Sequence, residues 1–494
     1  MKAIPRRDFL KGSMAAGLGL GFPGLLTAAS RPNEDVRIAV IGLGSTTAVG
    51  GVGGRGHQLI GKLREVKGAR IVALADVDPA HIDREVKAAR DHEGQLPTHN
   101  DFRKILDDKN IDAVVVALPN HWHALATVWA CQAGKDVYVE KPFSHDLWEG
   151  HQMVAAARKY GRMVQAGTQR RSSTLLPKAF ESLKGEIGAT RFAHALVYRA
   201  RDGIGQVDAP TPTGAVDYDL WCGPIAKKPL KRKQLHYEWH WFWDTGNGEM
   251  GNNGIHVIDI ARMALGHQGP PPRAMSIGGR FGFDDCGETA NTQVAILDFQ
   301  PAPLICEVRN LKKGADSMGN YRGQAGGILI DCEGGYFAGD FGGGAIYDRQ
   351  GKKVRDVKEG ENSKTAEREH LANFLDAVRS RKAADLAAEA LIAHHSTACC
   401  HMANVSHQIG KQARPEAIRD AVSGNAELAD AFDRCREHLR KNGVNLDETR
   451  ATLGPWVTFD AEKCRFVGDF AEAANALVRR EYREPFVVPD IARA

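Results

Sequence analysis

The sequence predicts an α/β fold: a doubly wound parallel sheet, followed by an α+β domain with a large, open, mainly antiparallel sheet. The first part is predicted because short β-branched runs alternate with helical patterns up to about residue 165, with glycines directly after the first run. The second part is predicted by strand patterns at residues 191–198, 292–297, 304–308 and 327–331.

Length and composition exclude several classes of protein. The chain of 494 residues is long enough for two or three domains, and 43% hydrophobic residues are enough for their cores. A net charge of +4 without a basic block gives no electrostatic argument for a nucleic-acid partner. The nine cysteines contain no C-x-x-C pair, which argues against a disulfide framework or a zinc ribbon.

The first 30 residues carry a targeting pattern. Pro5–Lys11 contains the pair Arg6-Arg7, and an uncharged run rich in glycine and alanine extends to Ala29. The run is only mildly apolar and includes a proline, so a twin-arginine signal peptide is favoured over a membrane anchor, and no stable membrane span is expected. We therefore expect the twin-arginine export machinery as a partner, and a periplasmic or otherwise exported location.

A glycine-rich turn follows the first predicted strand, Val36–Ile41. Its glycines are Gly42, Gly44, Gly51, Gly53 and Gly56. The last three match G-x-G-x-x-G literally, but the first glycine of that pattern is expected directly after the strand, which indicates an insertion within the turn. Bare backbone lets a pyrophosphate approach, and the N-terminus of the next helix favours its charge.

An acid follows the second predicted strand. Ile71–Ala75 ends at Asp76, about 20 residues after Gly56, which is the interval typical of a ribose-binding acid. A carboxylate here accepts hydrogen bonds from ribose hydroxyls and repels a 2′-phosphate, so NAD is favoured over NADP. Asp78 is the competing acid, although it can equally cap the turn before Pro79.

Two later strands end in residues suited to a site. One leads into Pro119-Asn120, and Asp136–Val139 leads into Glu140-Lys141-Pro142. Ligands of such sheets bind at the carboxyl ends of the strands. A lysine there can stabilise developing alkoxide charge or, with a lowered pKa, accept the proton of a hydroxyl group. The competing interpretation is an exposed lysine in a surface turn.

The ordered motifs V-I-G-L-G, A-D-V-D, L-P-N-H-W-H and A-G-K-D-V-Y-V-E-K-P resemble the glucose–fructose oxidoreductase and inositol dehydrogenase family (Gfo/Idh/MocA) over residues 35 to 410. The resemblance implies an NAD(P)-binding Rossmann domain, with the lysine of E-K-P near the nicotinamide and the substrate. The cofactor-binding residues that it implies are Gly42, Gly44 or Gly53, Gly56, Asp76, Pro119, Asn120, His123, Glu140 and Lys141.

Further candidates lie in the second half of the chain. Gln169 and Arg170 follow a strand and are within possible reach of the nicotinamide or of substrate hydroxyls, although a surface arginine is an equal alternative. Aromatic faces beside polar groups suit sugar rings, which points to Trp239, His240 and Trp243 as substrate contacts; packing between domains is the alternative. His236 and His240 have metal-ligand spacing but no acidic third ligand nearby, so no metal is predicted.

Asn252 and His256 lie four residues apart and share a face if their segment is helical. Many family members have Asp-x-x-x-His here, so the resemblance gives both residues catalytic roles beside Lys141. Because an amide cannot accept a proton, Asn252 makes His256 the expected base or proton shuttle. Asp259, one turn further, is a substrate candidate or a structural acid.

The expected domains are a signal peptide at 1–30, a cofactor domain at 35–165, an α+β substrate and oligomerisation domain at 166–410, and a packed extension at 411–494. The sequence thus predicts a homo-oligomeric NAD-dependent oxidoreductase of sugar or polyol hydroxyls. Since free NAD is not expected outside the cytoplasm, the cofactor should be tightly bound. An NAD-dependent glycosidase that works by transient oxidation and elimination, and a non-catalytic sugar-binding protein, are the alternatives.

Overall fold

The computed structural model describes residues 35–45, 53–207, 215–358 and 366–493. The predicted signal peptide and most of the predicted insertion in the glycine turn, at 46–52, lie outside these residues. Within the described ranges, no helix has the length and apolar character needed to cross a bilayer.

The N-terminal domain contains a parallel six-stranded sheet. Its strands are β1 (Val36–Ile41), β2 (Ala69–Ala75), β3 (Thr98–His99), β4 (Ala113–Val116), β5 (Asp136–Val139) and β6 (Val164–Ala166). Their order in the sheet is β3-β2-β1-β4-β5-β6, and every paired neighbour is parallel. The apolar β4 is buried along its whole length, as expected for a strand covered on both faces.

Helices cover both faces of this sheet. They are α1 (Arg55–Arg64), α2 (Pro79–Ala89), α3 (Arg103–Asp107), α4 (Asn120–Gln132) and α5 (Leu147–Lys159). Asp78 caps α2 by accepting a hydrogen bond from the Ala80 N–H, and Asp146 caps α5 through the Glu149 N–H. The strand order reverses between β1 and β4, so the crevice between their carboxyl ends is where a ligand of this fold binds.

The second domain contains a large mixed sheet. Its main strands are β7 (Thr190–Tyr198), β8 (Arg273–Gly279), β9 (Thr292–Leu297), β10 (Leu304–Arg309), β11 (Gly327–Cys332), β12 (Gly335–Asp340), β13 (Gly343–Asp348) and β14 (Lys353–Lys358). Among these strands, only the β7–β10 pair is parallel. The predicted fold class is therefore confirmed in both parts.

Helices of the second half connect the two sheets. They are α6 (Leu175–Ile187), α7 (Tyr218–Cys222), α8 (Ile255–Ala264), α9 (Ala366–Ser380) and α10 (Ala390–Gln408). Helix α8 and most of α10 are buried against the large sheet, whereas α9 packs its Leu371 and Phe374 into the core of the first domain. The chain thus returns to the first domain after forming the second.

The C-terminal residues extend both domains. Their elements are β15 (Lys411–Ala413), α11 (Pro415–Val422), α12 (Ala426–Lys441), β16 (Ala451–Leu453), β17 (Val457–Asp460), β18 (Arg465–Val467) and α13 (Ala471–Asn475). Strands β16 and β17 pair with β8, so this region lengthens the large sheet. Further along, Phe486 and Val488 are buried in the core of the first domain.

Phe486→Ala tests this return to the first domain. The Phe486 ring is 3% exposed and lies 5.5 Å from the Trp122 ring, so its truncation leaves a cavity in a core. We expect a loss of about 3 kcal/mol in the free energy of unfolding, measured by urea denaturation. Phe470→Ala is the matched control, because Phe470 is 47% exposed and its loss should change stability by no more than about 0.5 kcal/mol. Equal effects of the two substitutions would contradict the prediction.

Candidate active site

A cavity of about 290 Å³ lies at the carboxyl ends of the parallel strands, between the two domains. It is lined by residues that directly follow β1, β2, β4 and β5, and on the other side by residues of the second domain. The predicted site residues among its lining are Gly42, Gly44, Gly53, Asp76, Pro119, Asn120, Glu140, Lys141, Trp239, His240 and Asn252. The structure therefore brings together residues that the sequence separates by more than 200 positions.

The glycine turn is shaped by two close approaches. Gly42 has a φ of +84°, and a Cβ there would lie 2.6 Å from the carbonyl oxygen of Ala117. A Cβ on Gly56 would lie 2.0 Å from the carbonyl oxygen of Gly42, so a glycine here lets α1 pack directly against the turn. Gly56 itself is outside the described lining of the cavity. The Ser45 N–H donates to the Gly53 carbonyl oxygen at 2.8 Å, which joins the two described sides of the turn. Gly42 is thus the first glycine of the turn.

Asp76 lines the cavity at the end of β2. Its Oδ2 accepts a 2.7 Å hydrogen bond from the Leu43 N–H, and its Oδ1 accepts from the Asp78 N–H. Arg84, which sequence reasoning missed, donates to the carbonyl oxygens of Leu43 and Ser45 and so fixes the same turn. No local motif marks Arg84, because its role depends on α2 lying beside the turn.

Lys141 lies where the two domains meet. Its Nζ donates to the backbone carbonyl oxygen of Asn252 at 2.8 Å and to the Asn252 side-chain Oδ1 at 2.9 Å. Burial lowers the pKa of Lys141 to about 8, although the charge of Glu140 opposes this shift. Lys141 is therefore a partly buried amine with a lowered pKa, rather than an exposed lysine of a surface turn.

Glu140 is engaged by an arginine of the glycine turn. The Arg55 Nε donates to Glu140 Oε1 at 2.7 Å, and Arg55 also pairs with Glu367 at the start of α9. This bridge joins the turn after β1 to the turn after β5. Arg55 is a second site residue that the sequence pattern did not single out, although it directly precedes Gly56.

Asn252 and His256 do not act as one face of a regular helix. Residues Met250–Gly254 form a π-helix, and α8 begins only at Ile255. Asn252 lines the cavity, whereas His256 is outside its described lining and has its ring 6.0 Å from that of Phe341. Burial holds the pKa of His256 well below its usual range, with a further lowering by Lys141. The imidazole is therefore a weaker base than the Lys141 amine, and the role of His256 as base or proton shuttle stays a prediction.

Arg201 and its partners form another part of the cavity wall. Arg201 binds both carboxylate oxygens of Glu249, at 3.0 and 3.1 Å, and donates to the Tyr237 hydroxyl at 2.7 Å. Arg201 and Tyr237 both line the cavity. The Tyr237 hydroxyl is thereby fixed at the wall of the cavity. Nothing in the sequence predicts this pairing, because Arg201 and Glu249 are 48 residues apart.

The aromatic segment divides between two places. Trp239 and His240 line the cavity and stack with ring centroids 3.7 Å apart, and burial lowers the pKa of His240 to about 3. Trp243 does not share this site; it lines a second cavity of about 240 Å³ with His145 and Asn247. The expectation that Trp243 contacts substrate is therefore wrong for the main cavity, because the 3₁₀-helix Glu238–Trp241 ends before it and the chain turns away.

Two predicted site residues have structural partners instead. Both ring nitrogens of His123 face backbone carbonyl oxygens, of Pro142 at 2.7 Å and of Leu118 at 2.8 Å, so the ring positions the turn after β5 rather than a cofactor. The Asp259 carboxylate is bound by Arg171 at 2.8 and 2.9 Å and is 1% exposed. Its proposed contact with substrate is corrected to the structural alternative.

Gln169 and Arg170 also lie outside the described lining of the cavity. They belong to the 3₁₀-helix Gln169–Ser172, and the Arg170 guanidinium lies 4.7 Å from the centre of the Phe341 ring. Asn120 does line the cavity, and its side-chain NH₂ donates to Asn247 Oδ1 at 2.8 Å. Asn247 therefore connects the cofactor domain to the second domain beneath the site.

The residues of the cavity fit a dinucleotide. The close packing of Gly42 and Gly56 leaves bare backbone where a pyrophosphate approaches, and the Asp76 carboxylate at the end of β2 suits ribose hydroxyls. The partly buried amine of Lys141 follows β5, on the other side of β1 and β4 from Asp76. Fold and site together define an NAD-binding oxidoreductase scaffold with a lysine amine between its domains.

Comparison with known proteins identifies the family. The oxidoreductase family NAD-binding Rossmann fold matches residues 36–168, and the C-terminal alpha/beta domain of the same family matches residues 184–291. The chain belongs to the Gfo/Idh/MocA oxidoreductase family, and its first domain is the NAD-binding Rossmann domain.

Curated relatives align over part of the chain. An uncharacterized oxidoreductase of Rhizobium meliloti is 30% identical over 34% of this chain and 50% of its own length. An inositol 2-dehydrogenase of Salmonella paratyphi B is 30% identical over 30% of this chain and 45% of its own. An alpha-N-acetylgalactosaminidase of Shewanella oneidensis is 28% identical over 41% of this chain and 49% of its own length. The chain spans about half the length of these relatives.

Solved structures share the fold. The WlbA dehydrogenase of Bordetella pertussis, in complex with NADH and UDP-GlcNAcA, superposes with a TM-score of 0.54 at 17% identity over 76% of this chain and 95% of its own. The aldose-aldose oxidoreductase of Caulobacter crescentus, complexed with glycerol, superposes with a TM-score of 0.53 at 18% identity over 75% of this chain and 98% of its own.

Gly56→Ala tests the glycine turn. The added methyl group would lie 2.0 Å from the Gly42 carbonyl oxygen, so α1 must shift from the turn and NAD binding should fall by at least about tenfold, which calorimetry measures. Gly61→Ala, in the same helix with no atom within 4 Å of the added Cβ, is the control and should bind NAD normally. It should also gain up to about 1 kcal/mol of stability from the better helix former. Unchanged NAD binding by Gly56→Ala would contradict the packing argument.

Proposed function

We propose that this protein is an NAD-dependent oxidoreductase that acts on a carbohydrate or polyol hydroxyl with a tightly bound cofactor. The observation that carries the proposal is the position of the Lys141 amine, held by Asn252 in a cavity whose other end has the features of a dinucleotide site; desolvation there lowers the pKa of Lys141 to about 8. NAD, when bound, supplies hydride transfer. The chain's own residues must then bind the hydroxyl and handle its proton.

The proton is assigned to Lys141. A neutral amine at this position accepts the proton of a hydroxyl as its carbon is oxidised, and the resulting ammonium is stabilised by the two Asn252 oxygens. In the reverse direction the ammonium returns the proton. Asn252 orients the amine but cannot accept the proton itself. Tyr237, fixed by Arg201, is available to hydrogen-bond a neighbouring hydroxyl of the substrate.

Substitution of Lys141 tests this assignment. Lys141→Ala should keep NAD bound but lose about 10²- to 10⁴-fold in turnover, which is the usual contribution of a positioned acid or base. For the wild type, kcat/KM for oxidation should rise with pH as Lys141 deprotonates through its pKa of about 8, and the rate of reduction should fall over the same range.

Lys141→Arg is the matched variant for the same measurement. A guanidinium keeps the positive charge but does not deprotonate in this pH range, so its residual activity should lose the rise near pH 8. A Lys141→Ala enzyme with wild-type turnover on a confirmed substrate, or a pH profile shared by the wild type and Lys141→Arg, would refute the role of Lys141.

A redox-neutral glycosidase is the second candidate. It is favoured by the similarity to the Shewanella oneidensis alpha-N-acetylgalactosaminidase and to proteins named glycosyl hydrolase family 109. In this reaction the substrate is transiently oxidised, the glycosidic group is eliminated and water adds. Return of the hydride to the substrate carbon would then restore the cofactor, so that the net reaction is hydrolysis. Incubation with a panel of free sugars and glycosides separates the candidates. Steady release of sugar without net NADH supports the glycosidase, whereas oxidised product with stoichiometric reduction of cofactor or of a second sugar supports the oxidoreductase.

Export is proposed together with cofactor retention. The twin-arginine pattern of residues 5–11 supports passage of a folded protein to the periplasm, where a diffusing cofactor is not replenished. Mass spectrometry of the denatured, purified protein should therefore detect co-purified NAD(H). If no nucleotide is present and none binds on addition, both enzyme candidates are wrong and a sugar-binding protein remains.

We also propose a homo-oligomer, formed through the open sheet of the second domain. The exposed Val354 on β14 lies near one end of that sheet. Light scattering coupled to size exclusion tests the oligomeric state, and a monomer at micromolar concentration would contradict it.

A further inference from the structure

Asp78, His81 and His236 meet at the end of the cavity that Asp76 marks. Asp78 caps α2 and His81 lies in the first turn of that helix, whereas His236 belongs to the second domain, just before the 3₁₀-helix Glu238–Trp241. His81 and His236 both line the cavity. The cluster therefore joins the two domains next to the residue assigned to ribose binding.

The ligand atoms of the cluster converge on one point. The Asp78 Oδ2 lies 3.0 Å from the His236 Nε2 and 3.5 Å from the His81 Nε2, and ligand atoms of the three residues all lie within 4.8 Å of one another. Tetrahedral zinc with bonds of about 2.0–2.1 Å places neighbouring ligand atoms about 3.3 Å apart. The two separations from the Asp78 Oδ2 are close to that value. The two imidazole rings, 4.4 Å apart at an angle of 62°, direct their Nε2 atoms toward the same carboxylate.

A carboxylate also stands behind one of the histidines. His81 is 2% exposed, and its other ring nitrogen, Nδ1, lies 3.3 Å from the Asp76 Oδ1. A histidine that binds a metal through one nitrogen commonly has a carboxylate at the other, which fixes the ring and raises the basicity of the ligand. Asp76, Asp78 and His81 thus have the arrangement of an outer acid, a ligand acid and a ligand histidine.

Hydrogen bonding is the competing explanation. The Asp78 oxygen can accept one N–H from each imidazole ring, which would give the same distances without an ion. The sequence did not suggest a metal because it paired His236 with His240, four residues away. In the structure His240 instead has its Nδ1 2.6 Å from the Tyr237 carbonyl oxygen. The acidic partner of His236 is Asp78, which caps α2.

We propose that Asp78, His81 and His236 bind one divalent transition-metal ion, of which Zn²⁺ best suits the ligand set. Three protein ligands leave a fourth position, which faces the cavity because both histidines line it. Water or a hydroxyl group completes the coordination there. The ion links α2 to the segment before Glu238, and so closes the cavity over its Asp76 end. Closure at that end should slow the loss of a bound nucleotide, and this consequence rests on the proposed function.

Metal binding is measured on the full chain, purified without a histidine tag and treated with a chelator. Titration with Zn²⁺ should give one ion per chain, and Co²⁺ should give the visible absorption of a tetrahedral or five-coordinate site. His81→Gln and His236→Gln should bind at least about tenfold more weakly. His240→Gln, four residues from His236 but without a place in the cluster, should bind as the wild type does. Zinc should raise the melting temperature of the wild type and of His240→Gln only.

The outcomes separate the two proposals. Failure to bind one ion per chain, or wild-type affinity in both His81→Gln and His236→Gln, refutes the metal site; if His81→Gln does not fold, His236→Gln alone decides. Chelation should also speed the loss of co-purified NAD(H) from the wild type, while an unchanged rate refutes the closing role of the ion. Stoichiometric metal in a protein that neither co-purifies with NAD(H) nor binds it on addition leaves the site intact and refutes the proposed function, whereas bound NAD without metal refutes the site alone.

Discussion

The contact between Lys141 and Asn252 is the constraint on which the rest of the site depends. A lysine amine is rarely buried unless it is paired, because removal of its charge from water is costly. Here the pairing consists of two neutral oxygens from one residue of the other domain. The turn that carries Lys141 and the π-helix that carries Asn252 must therefore keep their positions for these hydrogen bonds to form. This requirement constrains the relative position of the two domains at the cavity.

The nature of the partner decides the chemistry of the amine. The carboxylate next to it, Glu140, is occupied by Arg55, so among the described residues Lys141 has no direct ion pair with an acid. Burial then outweighs the favourable charges around it, and the pKa falls to about 8. An aspartate in place of Asn252 would instead favour the ammonium form. The asparagine is thus compatible with a lysine that both accepts and returns a proton near neutral pH.

Much of the fold and part of the site were predictable because they depend on local sequence. Buried parallel strands are apolar runs, and their carboxyl ends place Gly42, Asp76 and Lys141 at one edge of a sheet whatever the rest of the chain does. The errors arose where partners are distant in sequence. His123 binds the carbonyl oxygen of Pro142, and Asp259 is bound by Arg171, which no local spacing reveals. The π-helix Met250–Gly254, directly before His256, is likewise missed by a spacing argument that assumes a regular α-helix.

The route of the chain has a consequence for its synthesis. The core of the Rossmann domain is completed by Phe486 and Val488, and its outer face by α9, all of which follow the whole of the large sheet in sequence. The ribosome therefore releases most of the second domain before the first can finish packing, so the cofactor domain cannot mature as an independent unit during translation. A nascent chain of this design exposes apolar surface of its nucleotide-binding half until its last residues are synthesised.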